Sequence, residues 1–292
     1  MEKENCFAKR EEIHAPCIRK EPGMSQIGRW GKRHDSRSPN PYPRFNIPQS
    51  LKPMSLKHHL KRLVTGSPVR IWQSVLSVLD DAAFERRYRL DTQSEVAIAD
   101  LDISEQDKQH ADKYKPTRAR YFRKLMQQID VPRDGTFVDV GCGKGRVLLL
   151  AAEQGFGDVV GLEISQSLTE IARRNVEVFR SRHRECGDIE VICTNILDYE
   201  MDGDENVFFL YSPFDEPVTA KFLDLIRDSV RTRPRDLWLI IDEFRFPNLL
   251  AGDSVFGTPQ FYNYGSAEFH IYRHQPSLES KPEPATELQP QS

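Results

Sequence analysis

The residues best placed to do chemistry are Asp139, Gly141, Gly143 and Gly145, at alternate positions, with Glu163 further along the chain. Glycines at that spacing let a backbone pass close to a ligand, and a carboxylate offers several acceptor lone pairs to the two donors of a diol. The spacing excludes a phosphate loop, which needs Gly, four residues, then Gly-Lys and Ser or Thr. Here Lys144 stands between two glycines and Arg146 follows. The dinucleotide fingerprint G-x-G-x-x-G fits Gly141 and Gly143 but meets Arg146 where its third glycine belongs. What remains is D-x-G-x-G-x-G followed by a lone acid, the outline of a nucleotide-cofactor cradle.

These residues need elements to hold them. The short apolar run at 137–140 reads as a buried parallel strand, residues 146–152 as a helix stopped at Gly155, and the next apolar run as a strand ending at Glu163. Further strands are expected at 189–194, 207–211 and 237–241. Between the last two, Val218, Phe222, Leu225, Ile226 and Val230 share one face of a crossover helix that begins near Pro217. Residues 258–264 and 268–272, separated by Gly265-Ser266, read as a hairpin. Upstream, Ile71, Val75, Leu76, Val78, Leu79 and Phe84 predict an amphipathic helix over 68–90, followed by an acidic loop and a second helix from Tyr114 through Ile129, with Pro116 at its start.

Asp139 through Gly145, with Glu163 closing the second strand, resembles motif I and its acidic partner in the Rossmann-like methyltransferases that use S-adenosylmethionine (SAM). The resemblance implies a seven-stranded, mostly parallel Rossmann-like α/β sheet with a C-terminal antiparallel hairpin and an N-terminal helical cap. It also implies that Asp139, Gly141, Cys142, Gly143 and Gly145 form the turn under the cofactor, and that Glu163 takes both ribose hydroxyls. Asn195 stands where related enzymes hold the adenine amino group, with Asp198 in reserve. An R-Y-x-x-D-T element (Arg87 to Thr92), a Y-x-P-T element (Tyr114 to Thr117), V-D-x-G-x-G-K-G-R and an aromatic strand ending in S-P-F-D resemble a bacterial methyltransferase group of undefined substrate. In such enzymes the segment before motif I folds over the cofactor carboxylate, which makes Tyr114 and Thr117 cofactor candidates. Core filling by Tyr114 and helix capping by Thr117 explain the same residues. Lys144 and Arg146 are open to three roles: pairing with the SAM carboxylate, pairing with an acidic neighbour, or solvation.

The acceptor is expected beside Ser212, Pro213, Phe214 and Asp215, which follow the fourth strand; ligands of open α/β sheets bind outside the carboxyl ends of the strands. The tetrapeptide is similar to the Asn/Asp-Pro-Pro-Tyr/Phe loop of enzymes that methylate amino groups, so an amine, including one on a protein side chain, is the expected acceptor. Ser212 replaces the amide and one proline is missing, which leaves an oxygen acceptor open. Phe214 offers a π face to a developing cation, and Asp215 and Asp242 are base candidates. A strand-to-helix turn with Asp215 or Glu216 as N-cap accounts for the same stretch.

Composition bounds the rest. Residues 1–70 carry 15 Lys or Arg against 6 Asp or Glu, a net of +9 in a chain of −3. The expected organisation is a disordered basic leader over 1–50, a helical cap and lid over 51–130, the SAM-binding core over 131–274, and a disordered tail over 275–292. A basic arm invites contact with nucleic acid or an acidic partner. Acidic residues near the start, and no apolar run fit for a secretory signal or a membrane span, lead to a soluble, cytoplasmic protein as the expectation. The five cysteines, at 6, 17, 142, 186 and 193, match no zinc spacing, so no metal is expected. Two further readings stand beside a methyltransferase acting on protein, RNA or a small molecule. One is a SAM-binding interaction module without transfer activity; the other is a nicotinamide oxidoreductase, opposed by Arg146 and the terminal hairpin.

Overall fold

The computed structural model describes residues 68–111, 114–183, 187–212 and 214–276. The expected leader, the start of the cap at 51–67, Pro213 and the tail from 277 lie outside the described residues. Helix α1 (Pro68–Tyr88) is followed by a 3₁₀ turn (Ile98–Asp100), α2 (Glu105–His110) and α3 (Ala119–Gln128). The alternating core then runs β1 (Thr136–Val140), α4 (Arg146–Glu153), β2 (Asp158–Glu163), α5 (Gln166–Arg180), β3 (Asp188–Cys193), a 3₁₀ turn (Ile196–Asp198), β4 (Glu205–Leu210), α6 (Glu216–Thr232) and β5 (Leu237–Asp242). A last 3₁₀ turn (Pro247–Leu250) leads to the hairpin of β6 (Gln260–Tyr264) and β7 (Ala267–His274).

The seven strands form one sheet in the order β3-β2-β1-β4-β5-β7-β6. Strands β1 to β5 are parallel, and β7 runs antiparallel to both β5 and β6. Alternation along the strands gives the sheet two apolar faces. Phe137, Val159, Phe209 and Ile240 pack with α3, α4 and α5 on one side, while Val138, Val140, Phe208 and Leu239 pack with α6 on the other. The order reverses between β1 and β4. An open α/β sheet has its crevice at such a reversal, beyond the carboxyl ends of the strands.

Two details differ from the sequence expectation, in the second helix and in the acidic loop. The helix after Tyr114 starts only at Ala119, because Pro116 disfavours the helical region for Lys115. Its first N–H is capped not by Thr117 but by Asp81 of α1, whose Oδ1 accepts from the Ala119 amide at 3.0 Å. The acidic loop contains α2, capped by Ser104. The crossover from β3 to β4 carries only a 3₁₀ turn, where Asn195 Oδ1 accepts from the Leu197 amide at 3.0 Å, and Leu197, Tyr199 and Met201 half-cover that part of the sheet.

Candidate functional site

At the reversal lies a cavity of about 420 Å³. Gly141 and Glu163 form its floor at the ends of β1 and β2, Asn195 and Ile196 its side beyond β3, and Tyr211, Ser212 and Phe214 its wall beyond β4. The cap contributes His110, Tyr114 and Lys115, and the chain after β5 contributes Glu243 and Arg245.

The glycine turn is held from within. Glu163 accepts from the Gly143 amide through Oε2 at 2.8 Å and from the Ser165 amide through Oε1 at 2.9 Å, so one carboxylate fixes the turn and the start of α5. Burial raises its pKa, although the amides of Ser165, Gly143 and Ile164 pull the other way. Asp139 is buried beneath the turn, and its pKa stands well above the ordinary carboxylate range because of burial first and the Glu163 charge second. At Gly143 φ is +54°, and a β-carbon there would run into the Tyr114 ring. The tyrosine therefore lies on the loop, and its hydroxyl donates to Thr92 O at 2.7 Å. Cys142 is buried, and burial pushes its thiol well above its usual pKa. Its sulfur and Leu148 fill the space over Gly161, where even a β-carbon would stand 2.9 Å from Sγ, which is the chemistry of a packing residue and not of a thiolate.

Lys144 and Arg146 turn out to hold acidic neighbours. Lys144 Nζ reaches Asp91 Oδ1 at 3.2 Å and also Ser94 Oγ. Arg146, 1% exposed, donates to Thr92 Oγ1, Asp81 Oδ1 and Glu85 Oε1 at 2.9, 2.9 and 3.0 Å. The R-Y-x-x-D-T element thus fastens the cap to the glycine loop: Tyr88 donates to Glu153, the Asp91 amide donates to Asn175, and Thr92 meets Arg146.

The expected residues do not all come together. Tyr114, Gly141, Glu163, Asn195, Ser212 and Phe214 line the cavity, whereas Thr117, Asp139, Cys142, Gly143, Gly145 and Asp198 do not. Thr117 is buried without capping a helix, and Asp198 is exposed. Asp215 is the N-cap of α6, its Oδ1 accepting from the Val218 amide at 3.2 Å, while its Oδ2 meets His110 Nδ1 at 2.6 Å. Asp242 is buried, keeps Oδ1 without a hydrogen-bond partner, and does not line the cavity.

Sequence reasoning missed His110, Lys115, Tyr211, Glu243 and Arg245. Tyr211 donates to Glu243 Oε1 at 3.1 Å, and Lys115 Nζ lies 3.6 Å from Glu243 Oε2. Arg245 donates to the carbonyls of Ser212 and Phe214 at 2.8 and 2.9 Å, and the Ser212 hydroxyl donates to Glu243 O. None of these has a short-range sequence signal, since each pairing joins distant segments. Among the described residues no cluster of His, Cys, Asp and Glu is arranged to hold a metal ion, and no helix is long and apolar enough to cross a membrane.

Residues 137–231 match the model of a family described as a methyltransferase domain. From β1 to the last turn of α6 the chain is therefore similar to a methyltransferase domain. Solved structures with which the chain aligns include an RNA methyltransferase from Salinibacter ruber in complex with S-adenosyl-L-homocysteine (18% identity, 58% of this chain and 97% of that one, TM-score 0.42). A ribosomal protein L11 methylase from Lactobacillus delbrueckii subsp. bulgaricus aligns at 15% identity over 56% of this chain and 81% of that one, TM-score 0.42. A SAM-dependent methyltransferase from Aquifex aeolicus aligns at 16% identity over 55% and 98%, TM-score 0.42. Among curated proteins no match was found.

The residues present fit the cofactor. Glu163 ends β2 in the cavity wall with lone pairs beyond those its two amide bonds use, as a ribose diol requires, and Gly141 brings bare backbone to the same wall.

Proposed function

We propose that this chain transfers a methyl group from SAM to an amine that enters the cavity between α2, the segment Tyr211–Asp215 and the segment Glu243–Arg245. The observation that carries the reading is Glu163, buried at the end of β2 against a cavity of about 420 Å³ and bonded to the glycine turn through Oε2 and to the start of α5 through Oε1. In this reading Glu163 holds the ribose, Asn195 and Ile196 flank the adenine, and the Tyr114 ring closes the turn.

Bound there, SAM supplies a methyl already activated by its sulfonium. The protein's share is to align an acceptor lone pair with that carbon, an effect worth several kcal/mol, and to see that the lone pair is free. An alkylamine with a pKa of about 10.4 is mostly protonated near neutrality, so a base is needed. His110 supplies it: Asp215 accepts from Nδ1–H, which fixes the tautomer and leaves Nε2 to take the proton. In this reading Asp215, one of the two base candidates, acts as a positioning residue. Phe214 and Tyr211 give the ammonium π faces, and Glu243 gives it a counter-charge.

A hydroxyl acceptor is the second reading, favoured by Arg245. Its guanidinium already engages the carbonyls of Ser212 and Phe214, two groups that would otherwise grip an amino nitrogen. Both readings are tested by incubating the protein with methyl-labelled SAM and a cell lysate, then separating protein, RNA and small-molecule fractions. Label in one fraction, lost with His110→Gln while SAM binding persists, is the expected result. No label in any fraction, from a protein that binds SAM, would leave the non-transferring interaction module as the function.

A further inference from the structure

Among the described residues, three that are not glycine have a positive φ, and two of them stand together in the cavity wall. Ser212, after β4, has φ of +33°, and Glu243, directly after β5, has φ of +51°. Backbone held in this region persists only where its surroundings over-determine it, and it gathers at ligand sites. Here the surroundings do so: the Ser212 hydroxyl donates to Glu243 O, the Glu243 amide donates to Glu268 O at 2.9 Å, and Arg245 holds the carbonyls of Ser212 and Phe214.

The strained turn after β5 carries a carboxylate into the cavity. Glu243 accepts from the Tyr211 hydroxyl through Oε1 at 3.1 Å, and its Oε2 lies 3.6 Å from Lys115 Nζ. The same ammonium stands over the Tyr211 ring, 5.7 Å from its centroid. Burial, then the charges of Asp242 and Glu243, push the Tyr211 phenol up, so it remains a donor to the carboxylate. A carboxylate and an aromatic face that converge on one nitrogen are the elements that recognise an organic cation. The cation they hold here is the chain's own.

Lys115 is built to be a removable occupant. Its backbone is pinned, because the Tyr114 amide donates to Val96 O, the Tyr114 hydroxyl donates to Thr92 O, and Pro116 restricts the chain after it. Only the side chain is left to swing. The contact itself is loose: Lys115 is 36% and Glu243 42% exposed, and ion pairs open to water are weak. Arg245 and His110, also in the cavity wall, are engaged elsewhere, by carbonyls and by Asp215.

We infer that Lys115 is a stand-in for the acceptor, its ammonium filling the Tyr211–Glu243 seat until the cationic nitrogen of the substrate displaces it. The inference rests on the proposed transfer to an amine and adds a selection step to it. A charged nitrogen replaces what Glu243 loses when the lysine leaves, whereas an uncharged group of the same shape offers Glu243 nothing in exchange.

Tetramethylammonium, which cannot take a further methyl, probes the seat, and tert-butanol serves as an uncharged group of similar shape. Binding of each to the full chain, saturated with S-adenosylhomocysteine, is followed by ligand-observed NMR. The parent should bind the cation and not the alcohol. Lys115→Met, which keeps the apolar stem and removes the competing charge, should raise affinity for the cation about threefold, and Glu243→Gln should lower it at least as much. Affinity for the cation that is unchanged or weaker in Lys115→Met, or equal binding of the alcohol, overturns the inference. Calorimetry supplies a second check: Lys115→Met should keep its affinity for S-adenosylhomocysteine within about twofold. A loss of about tenfold for that ligand, with none for methylthioadenosine, which lacks the carboxylate, would make the lysine a cofactor residue and overturn the inference. A parent chain that binds no S-adenosylhomocysteine would instead remove the cofactor reading on which the inference rests.

Discussion

Glu163 and Asp139 are two buried carboxylates on adjacent strand ends, and what separates their roles is hydrogen bonding. Glu163 receives backbone N–H groups on both oxygens and lines the cavity, while Asp139 sits below it with its pKa driven up by burial and by the Glu163 charge. Asp242 is in a similar state at the end of β5: burial, then the neighbouring Glu243, hold its pKa well above the ordinary range. Its folded pKa exceeds the unfolded one, so the contribution of this group is most favourable at low pH. That contribution is lost as pH rises from the unfolded value of about 4 toward the folded value. Asp242→Asn removes the titration. Thermal melts should show the variant gaining stability relative to the parent as pH goes from about 4 to about 8; a difference independent of pH would contradict the assignment. Tyr114→Phe tests a separate point. Its hydroxyl is engaged by Thr92 O and its ring covers Gly143, so the variant should lose about 1 kcal/mol of stability and bind SAM within about twofold of the parent by calorimetry. A tenfold loss would mean the hydroxyl serves the cofactor directly.

Among the elements, α1 and α4 are locked together by charge. Arg146 is enclosed with Asp81 and Glu85, and Asp81 also caps α3 and pairs with Arg118. Removing one member of a buried pair leaves the others uncompensated, at a cost of about 3–5 kcal/mol. Urea unfolding of Arg146→Met should show a loss in that range; a loss below about 1 kcal/mol would mean the carboxylates find water instead. This lock explains what sequence could and could not reveal. The apolar runs of β1, β2, β4 and β5 and the D-x-G-x-G-x-G spacing were legible because strand period and turn chemistry are local. Three other features were not legible: Arg146 bound to α1, Asp81 as the cap of α3, and His110 against Asp215. Each joins residues far apart in sequence, and a side chain's partner across that distance leaves no periodic trace. The β3–β4 connection shows no helical period in the sequence, and Asn195 draws the backbone there into a 3₁₀ turn.

At the scale of the molecule, a sheet ordered β3-β2-β1-β4-β5-β7-β6 gathers one end of five parallel strands around a single large cavity, and the cap closes over it through Tyr114 and the bridge between Ala111 and Phe214. Cap and core are therefore expected to respond together to a ligand. S-adenosylhomocysteine at about a hundredfold excess over its Kd should stabilise the protein by about 2.7 kcal/mol in a single transition. Two separate transitions would mean the cap does not take part. The central claim, that Glu163 and the glycine turn make this cavity a SAM site, is tested most directly by calorimetric titration of SAM into the parent and Glu163→Ala. A one-to-one isotherm for the parent and affinity reduced at least tenfold in the variant are expected, with the variant's melt checked to show that it is folded. Equal affinity in the two proteins, or no binding by the parent, would contradict the account.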